Sequence, residues 1–195
     1  MIDLKSFLYN EVKKTMDLWD FSDAYSITFF VYSNEMYEFN GINNITEFNI
    51  SLNNETYFNT HYDEAIDWIV PSDKYHSIQR WDYAYLEANE TRILNSKTYP
   101  VLFEWYKQNG IDNIGFEDEQ MFEKYLGPVG YIELLNIIIE VGKQLQEEYL
   151  EKKCGKKIPI IIQDYEFMDC VVEATQKVNI NNEAKIFFET LKYSL

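Results

Sequence analysis

Residues 24–33 read AYSITFFVYS, a run of β-branched and aromatic residues that predicts a strand from Ala24 to Ser33. Residues 46–54 read TEFNISLNN, in which apolar and polar residues alternate strictly. Since successive side chains of a strand point to opposite faces, this stretch predicts a half-buried strand with one face in water. The turn-like residues between the two stretches favour an antiparallel pair.

The spacing of apolar residues predicts helices over much of the remaining chain. The longest begins at Pro128 and reaches about Lys153, and Gly155 is a natural stop for it. Ser96 is expected to cap another helix, which carries Pro100 in its first turn and ends before Gly110. Further helices are predicted over residues 2–19, 55–68, 168–178 and 182–192.

Residues 158–165, IPIIIQDY, form a continuous apolar run that is typical of a central strand covered on both sides. The order of helix, strands, helices, strand and helices predicts an α+β (mixed α/β) fold. We expect a central, mostly antiparallel sheet layered with helices, and residues 1–195 as a single globular domain.

The composition favours a folded protein with a strong negative charge. Apolar residues make up 46% and aromatic residues 17% of the 195, which is enough for an ordinary core. The formal net charge of −16 disfavours binding to nucleic acids and to anionic membranes, and it favours a basic protein partner. Without a recognisable signal peptide, a membrane-spanning stretch or a cysteine framework, the chain is expected in the cytoplasm. The oligomeric state stays open.

Motifs of catalysis are missing from the sequence. It contains neither of the glycine-rich phosphate loops nor a nucleophile elbow. His61 and His76 lack the spacing of a zinc site, so ordinary roles are expected for both. Cys154 follows two lysines that could lower its pKa, yet a plain reduced thiol is the expected state. We therefore predict no catalytic residue, no metal site and no cofactor.

One group of acidic residues is distinguished by its position. Asp164, Glu166 and Asp169 directly follow the apolar run, where the end of a strand often meets a ligand. They could contact a partner or a divalent cation, or Asp164 or Asp169 could cap the next helix. The acidic run of residues 117–119 is expected to be a solvated loop.

Residues 79–90, QRWDYAYLEANE, mix aromatic residues with carboxylates. As a strand, this segment would place Trp81, Tyr83 and Tyr85 on one face, although a helix is also compatible with it. We expect a half-buried seam with the rings mostly inside and the acids outside. These three aromatic residues and Glu87 are candidates for contact with a partner, together with Asp164, Glu166 and Asp169; for Trp81 a core position is favoured.

The segment Arg80, Trp81, Asp82, Tyr83, Ala84 resembles one in an uncharacterised bacterial family, a domain of unknown function. The stretches AYSITFFVYS, VLFEWYKQNG and IIIQDYEFMDCVVEATQKVN are similar to that family as well. The resemblance implies no enzymatic activity. It implies an association with immunity proteins of polymorphic toxin systems.

Three functions follow as hypotheses. The first is a non-enzymatic acidic binding protein, most concretely a cytoplasmic immunity protein that neutralises a basic toxin domain by direct binding. The alternative is an enzyme that acts on a small substrate with carboxylates or a divalent metal. A mimic of DNA ranks last, because the apolar composition favours a compact body.

Overall fold

A computed structural model describes residues 1–33, 38–66, 73–117, 127–164 and 169–194. Over these residues the chain forms a four-stranded sheet and a small two-stranded one. The strands are β1 (Ala24–Ser33), β2 (Glu38–Phe39), β3 (Ile42–Asn43), β4 (Thr46–Asn54), β5 (Thr91–Arg92) and β6 (Ile160–Gln163). The order in the larger sheet is β5-β4-β1-β6, while β2 pairs with β3.

Strand β1 lies inside the sheet and pairs on both sides. It is antiparallel to β4, with Phe29 opposite Ile50, and parallel to β6, with Phe29 beside Ile162. Strand β5 extends the antiparallel part through β4. The sheet is therefore mixed and mostly antiparallel, and the predicted α+β fold class is confirmed, as are the bounds of β1 and its antiparallel pairing with β4.

Helices cover the apolar face of this sheet. The main core joins apolar residues of β1, β4 and β6 to helical residues such as Leu8, Leu134 and Ala174. The helices are α1 (Leu4–Met16), α2 (Glu55–His61), α3 (Tyr99–Gln108), α4 (Tyr131–Leu145), α5 (Glu151–Cys154), α6 (Asp169–Val178) and α7 (Lys185–Ser194). A π-helical turn, Gln146–Leu150, joins α4 to α5. No helix in the described ranges has both the length and the apolar character needed to cross a bilayer.

The long predicted helix corresponds to α4, the π-helical turn and α5. It ends at Gly155, whose φ of +68° is the left-handed conformation expected of a glycine stop. Gly142 lies where α4 meets α6, and an added Cβ there would come within 2.9 Å of Val178. A side chain at this position would push the two helices apart.

Two predicted helices differ in detail from the observed ones. Helix α3 is preceded by Thr98 at its N-cap position, not by Ser96, although Pro100 does lie in the first turn. The predicted helix over residues 55–68 is α2 followed by the short 3-10 turn Glu64–Ile66, and residues 67 and 68 lie outside the described ranges. The hydroxyl of Thr98 bonds the carbonyl of Ile93 at 2.8 Å, which ties the start of α3 to the end of β5.

The prediction that residues 158–165 form a central strand is wrong in one respect. Strand β6 is buried on both faces, but it lies at the edge of the sheet. Its free edge is covered by two side chains, from Thr175 in α6 and from Asn179 just after α6. Asn179 accepts the Ile160 N–H, and Thr175 accepts the Ile162 N–H. An apolar run indicates that both faces of a strand are buried, but it does not indicate how many strands lie beside it.

The prediction that one face of β4 lies in water is also wrong. Glu47, Asn49, Ser51 and Asn53 are all buried, as are the apolar residues between them. Residues 83–90 lie over this face, while Trp81 and α7 cover the same side of the sheet at Tyr25 of β1 and Ile161 of β6. Alternation along a strand separates its two faces, but the rest of the fold determines whether the polar face meets water.

Residues 79–90 form neither a strand nor a regular helix. Two 3-10 turns, Ile78–Arg80 and Tyr83–Tyr85, lie in its first half, and residues 86–90 are irregular. Each turn is capped by a side chain that accepts a backbone N–H: Ser77 from Gln79 and Asp82 from Ala84. Such local bonds compete with longer regular structure. The absence of a clear apolar periodicity in this segment agrees with its irregular backbone.

Candidate functional site

The polar face of the sheet is built from matched pairs on β1 and β4. The register places Ser26 beside Asn53 and Thr28 beside Ser51, so these side chains share one face. The Asn53 amide donates to the hydroxyls of Ser26 and Thr28 at 2.8 and 2.9 Å. The result is a rigid floor of hydroxyl and carboxamide groups instead of a solvated surface.

Residues 81–90, which we name the covering segment, lie over this floor. At one end, Gln163 of β6 accepts the Tyr83 N–H at 3.1 Å and donates to the carbonyl of Trp81. At the other end, the Asn89 amide donates to the Leu52 carbonyl at 2.8 Å. The covering segment is thus attached to β6 and to β4 and spans the sheet between them.

A pocket of about 270 Å³, which we name the covered pocket, separates the segment from the floor. Thr28, Phe30 and Ser51 supply the floor, and Tyr83, Glu87 and Glu90 belong to the covering segment. The Tyr83 and Phe30 rings lie with their centroids 5.1 Å apart. Of the described residues that line the covered pocket, none is basic.

Both carboxylates of the covered pocket already accept long amide hydrogen bonds. Glu87 accepts from Asn89 at 3.1 Å and from Asn54 at 3.4 Å. Glu90 accepts from Asn49 at 3.4 Å. An ionised carboxylate has about four lone-pair positions, so both groups keep capacity for a further donor.

A wider and more open pocket of about 470 Å³ adjoins the covered pocket at Glu87, which lines both. Asp20 and Asp23 line this outer pocket. Hydrogen bonds lower the pKa of each: Ser22 donates to Asp20, and Thr56 donates to Asp23. Both aspartates are therefore charged at neutral pH, and the two pockets together form an acidic groove.

Three buried acceptors lie in or directly beside the polar floor. The buried amide oxygens of Asn49, Asn53 and Asn89 have no hydrogen-bond partner among the described residues. A buried acceptor without a donor costs free energy, and none of these three amides lines the covered pocket.

A second, mainly aromatic cluster holds the start of the covering segment in place. Arg80 is 5% exposed, and its guanidinium lies 3.8 Å from the centroid of the Tyr25 ring. Glu55 accepts from it with both carboxylate oxygens. The Tyr25 hydroxyl donates to the Arg80 carbonyl at 2.8 Å, and burial raises the pKa of that hydroxyl well above its usual range.

The four candidates in the covering segment occupy different environments, so the shared aromatic face that a strand would have produced does not form. Trp81 is buried against Tyr25 and Phe187 and presents almost no surface to a partner. Tyr83 packs on the sheet, whereas Tyr85 is 37% exposed. Glu87 turns inward over the polar face, so not all the acids of the seam lie outside. The structure thus brings Tyr83 and Glu87 into one pocket.

The acidic group after β6 forms no described cluster. Asp164 accepts a hydrogen bond from the Tyr131 hydroxyl at 3.3 Å, and Asp169 is exposed in the first turn of α6. Burial, together with the nearby Asp164, raises the pKa of Tyr131. Glu166 lies outside the described residues. Across those residues, no three His, Cys, Asp or Glu side chains come together as metal ligands would.

The remaining singled-out residues have local roles. His76 contacts Asp73 at 3.0 Å and Glu189 at 3.4 Å, while the His61 ring stacks on Tyr57. Burial raises the pKa of Cys154 to about 11 and outweighs the opposite effect of the neighbouring lysines. Of residues 117–119, Glu117 is exposed and the other two lie outside the described ranges.

Sequence reasoning missed the floor of the covered pocket. Thr28 and Ser51 were not candidates, and neither were Glu90 and Gln163, which attaches the covering segment to β6. The available signal was the chemistry of the alternating positions in β4: Asn49, Ser51 and Asn53 are amides and a hydroxyl. Such neutral groups can satisfy one another under a cover, whereas a strand face in water more often carries charges.

A comparison with protein-family models finds no matching family, and comparisons with curated proteins and with solved structures find no match.

Proposed function

We propose that this protein is a non-enzymatic acidic binding protein whose partner is a basic protein. The observation that carries the proposal is the acidic groove: Glu87 and Glu90 line its inner part, Asp20 and Asp23 line its outer part, and no described basic residue lines the covered pocket. The net charge of −16 shows that the excess of acidic residues is not confined to the groove.

The binding mechanism follows from the geometry and the charge. Long-range attraction raises the rate at which a basic surface meets the groove, and contact then replaces water around the carboxylates with N–H donors. Tyr83 and the exposed Tyr85 supply rigid aromatic surface beside the acids, which is the chemistry of interface hot spots.

In its most concrete form, the protein is a cytoplasmic immunity protein that neutralises a basic toxin domain. Toxins that act on nucleic acids must hold phosphate, so their active sites are often basic, and an acidic groove is complementary to them. Support for the immunity role comes from the resemblance of Arg80–Ala84 and of three longer stretches to the uncharacterised bacterial family.

Calorimetric titration with basic toxin domains encoded next to such a gene tests the proposal. We expect binding at micromolar or lower concentration, weakened at least about tenfold in the double variant Glu87→Gln/Glu90→Gln because two charge-assisted contacts are lost. Glu133→Gln is the matched control, since this exposed residue lies on α4, on the other side of the sheet. Absence of binding at micromolar protein overturns the immunity role, and binding that ignores both substitutions overturns the role of the groove.

A further inference from the structure

The covered pocket is small and closed on one side by the covering segment. Its volume of about 270 Å³ lies below the roughly 300–1,000 Å³ of pockets that hold drug-sized ligands. One side chain, or a small molecule of the same size, fills such a space. A nucleotide or a sugar chain would need a larger one.

The lining of the covered pocket selects the sign of the charge. Glu87 and Glu90 are three residues apart in the covering segment and both face this pocket. An anion entering here would meet two carboxylates and no described basic residue. A cation would be attracted by both carboxylates, in a setting shielded from bulk water on the side of the sheet.

The hydrogen-bonding groups select a donor. The polar groups that line the covered pocket are the hydroxyls of Thr28 and Ser51 and the carboxylates of Glu87 and Glu90. Each carboxylate accepts only long amide hydrogen bonds and keeps lone pairs for a further donor. An ammonium group brings three N–H donors and a guanidinium brings five, and neither is an acceptor.

The aromatic wall adds a third preference. The Tyr83 and Phe30 rings border the same space, 5.1 Å apart and tilted by 42°. A cation near the face of an aromatic ring gains electrostatic attraction, and the alkyl stem of a lysine or arginine side chain packs well on such a ring.

We infer that the covered pocket receives one alkylammonium or guanidinium group, supplied by a lysine or arginine side chain of the basic partner. The inference rests on the proposed function and specifies its central contact. The charged head lies between Glu87 and Glu90 above Ser51, and the alkyl stem lies along Tyr83. The acidic outer pocket then faces the residues that flank the inserted side chain.

Small probes test the chemistry of the pocket without the partner. Two-dimensional amide NMR spectra of the whole chain are recorded during titration with butylammonium chloride, with ethylguanidinium chloride and with neutral butanol. We expect saturable shifts at Thr28, Ser51, Tyr83 and Glu87 for the cations and none for butanol. The ratio of the two cation affinities identifies lysine or arginine as the preferred side chain.

Three variants make the test specific. Glu90→Gln, an exposed residue with one long hydrogen bond, and the double variant Glu87→Gln/Glu90→Gln should weaken cation binding by several-fold and at least about tenfold, respectively. Glu133→Gln should leave it unchanged. Cation shifts that are absent, that match those of butanol or that persist in the double variant overturn the inference.

The two proposals fail differently. Cation binding in the pocket without any affinity for a basic protein would retain the pocket chemistry and remove the proposed partner. Tight binding of a basic protein that survives the double variant would retain the acidic binding protein and remove the inserted side chain.

Discussion

Arg80 shows how one residue organises a region that the sequence pattern left ambiguous. Its guanidinium is enclosed by the rings of Tyr25 and Phe58, and Glu55 balances its charge. A buried charge is costly unless it is paired, so the position of α2, which carries Glu55, depends on the position of the covering segment. The pair thus couples two distant stretches of chain.

Replacement of Glu55 by Gln should destabilise the fold by about 3 kcal/mol, because the Arg80 charge stays buried without its counter-ion. Urea unfolding measures the change. The exposed Glu64, just beyond α2, provides the control Glu64→Gln, which should change the free energy of unfolding by less than about 0.5 kcal/mol. Equal losses in the two variants would show that the pair is unimportant.

Cys154 should react slowly for a cysteine, because its pKa is about 11 and the thiolate is scarce at neutral pH. In a Cys170→Ala variant, the rate of alkylation should keep rising with pH beyond the ordinary thiol range. The unfolded thiol ionises at a lower pH than the folded one, so Cys154 should also reduce stability as pH rises through that interval. A rate that levels off at the ordinary thiol pKa would contradict this.

At the scale of elements, the free edge of β6 is closed by side chains. The Asn179 amide oxygen accepts the Ile160 N–H at 3.0 Å, and its amide nitrogen donates to the Ile160 carbonyl at 2.7 Å. Thr175 repeats the arrangement at Ile162. These side chains occupy the place of a neighbouring strand and block edge-to-edge pairing with another chain.

Asn179→Ala should cost about 2–3 kcal/mol in the free energy of unfolding, since it leaves buried backbone groups of Ile160 unpaired. Amide hydrogen exchange at Ile160 should accelerate by more than the global change requires. Asn181→Ala, two residues away and exposed, is the control and should have little effect. Unchanged protection of Ile160 would mean that another group covers the edge.

The Gln163 side chain likewise bonds backbone groups, in this case those of Trp81 and Tyr83 in the covering segment. Gln163→Ala should cost about 1–2 kcal/mol, because the Tyr83 N–H and the Trp81 carbonyl lose a buried partner. We also expect weaker binding of butylammonium, since Tyr83 lines the covered pocket. Gln176→Ala, an exposed substitution on α6, is the control for both measurements. Full cation affinity in Gln163→Ala would show that the covered pocket does not need this attachment.

At the scale of the whole molecule, the net charge of −16 acts on stability and on association in opposite ways. Like charges repel one another in the compact state, and salt screens them. The same charges attract a basic partner, and salt screens that attraction as well.

Added salt, from about 0.05 to about 0.5 M sodium chloride, should therefore raise the free energy of unfolding and slow association with the basic partner. Urea titrations at both salt concentrations measure the first effect, and stopped-flow mixing measures the second. The paired Lys13 and Asp17 are too exposed for their screening to reverse the trend. An association rate independent of salt would refute electrostatic steering.

Local chemistry made several elements predictable. Strand β1, the stop at Gly155 and helix α6 follow from β-branched content, glycine conformation and apolar spacing; position 168 of the predicted helix lies outside the described residues. The covered pocket was not predictable in this way, because its walls come from Thr28, Phe30 and Ser51 and from residues 83–90, and no periodicity relates stretches so far apart in sequence.

By itself, the sequence determined which faces of the strands are apolar, where the main helices run and the sign of the molecular charge, since these depend on side chains close together in the chain. Only the tertiary structure decided that β6 is an edge strand, that the polar face of β4 is covered and that Glu87 and Glu90 meet Ser51. Those outcomes depend on how the chain returns over its own sheet. That path is set by long-range pairs such as Arg80 with Glu55 and Gln163 with Trp81, whose free energy appears only when distant residues meet.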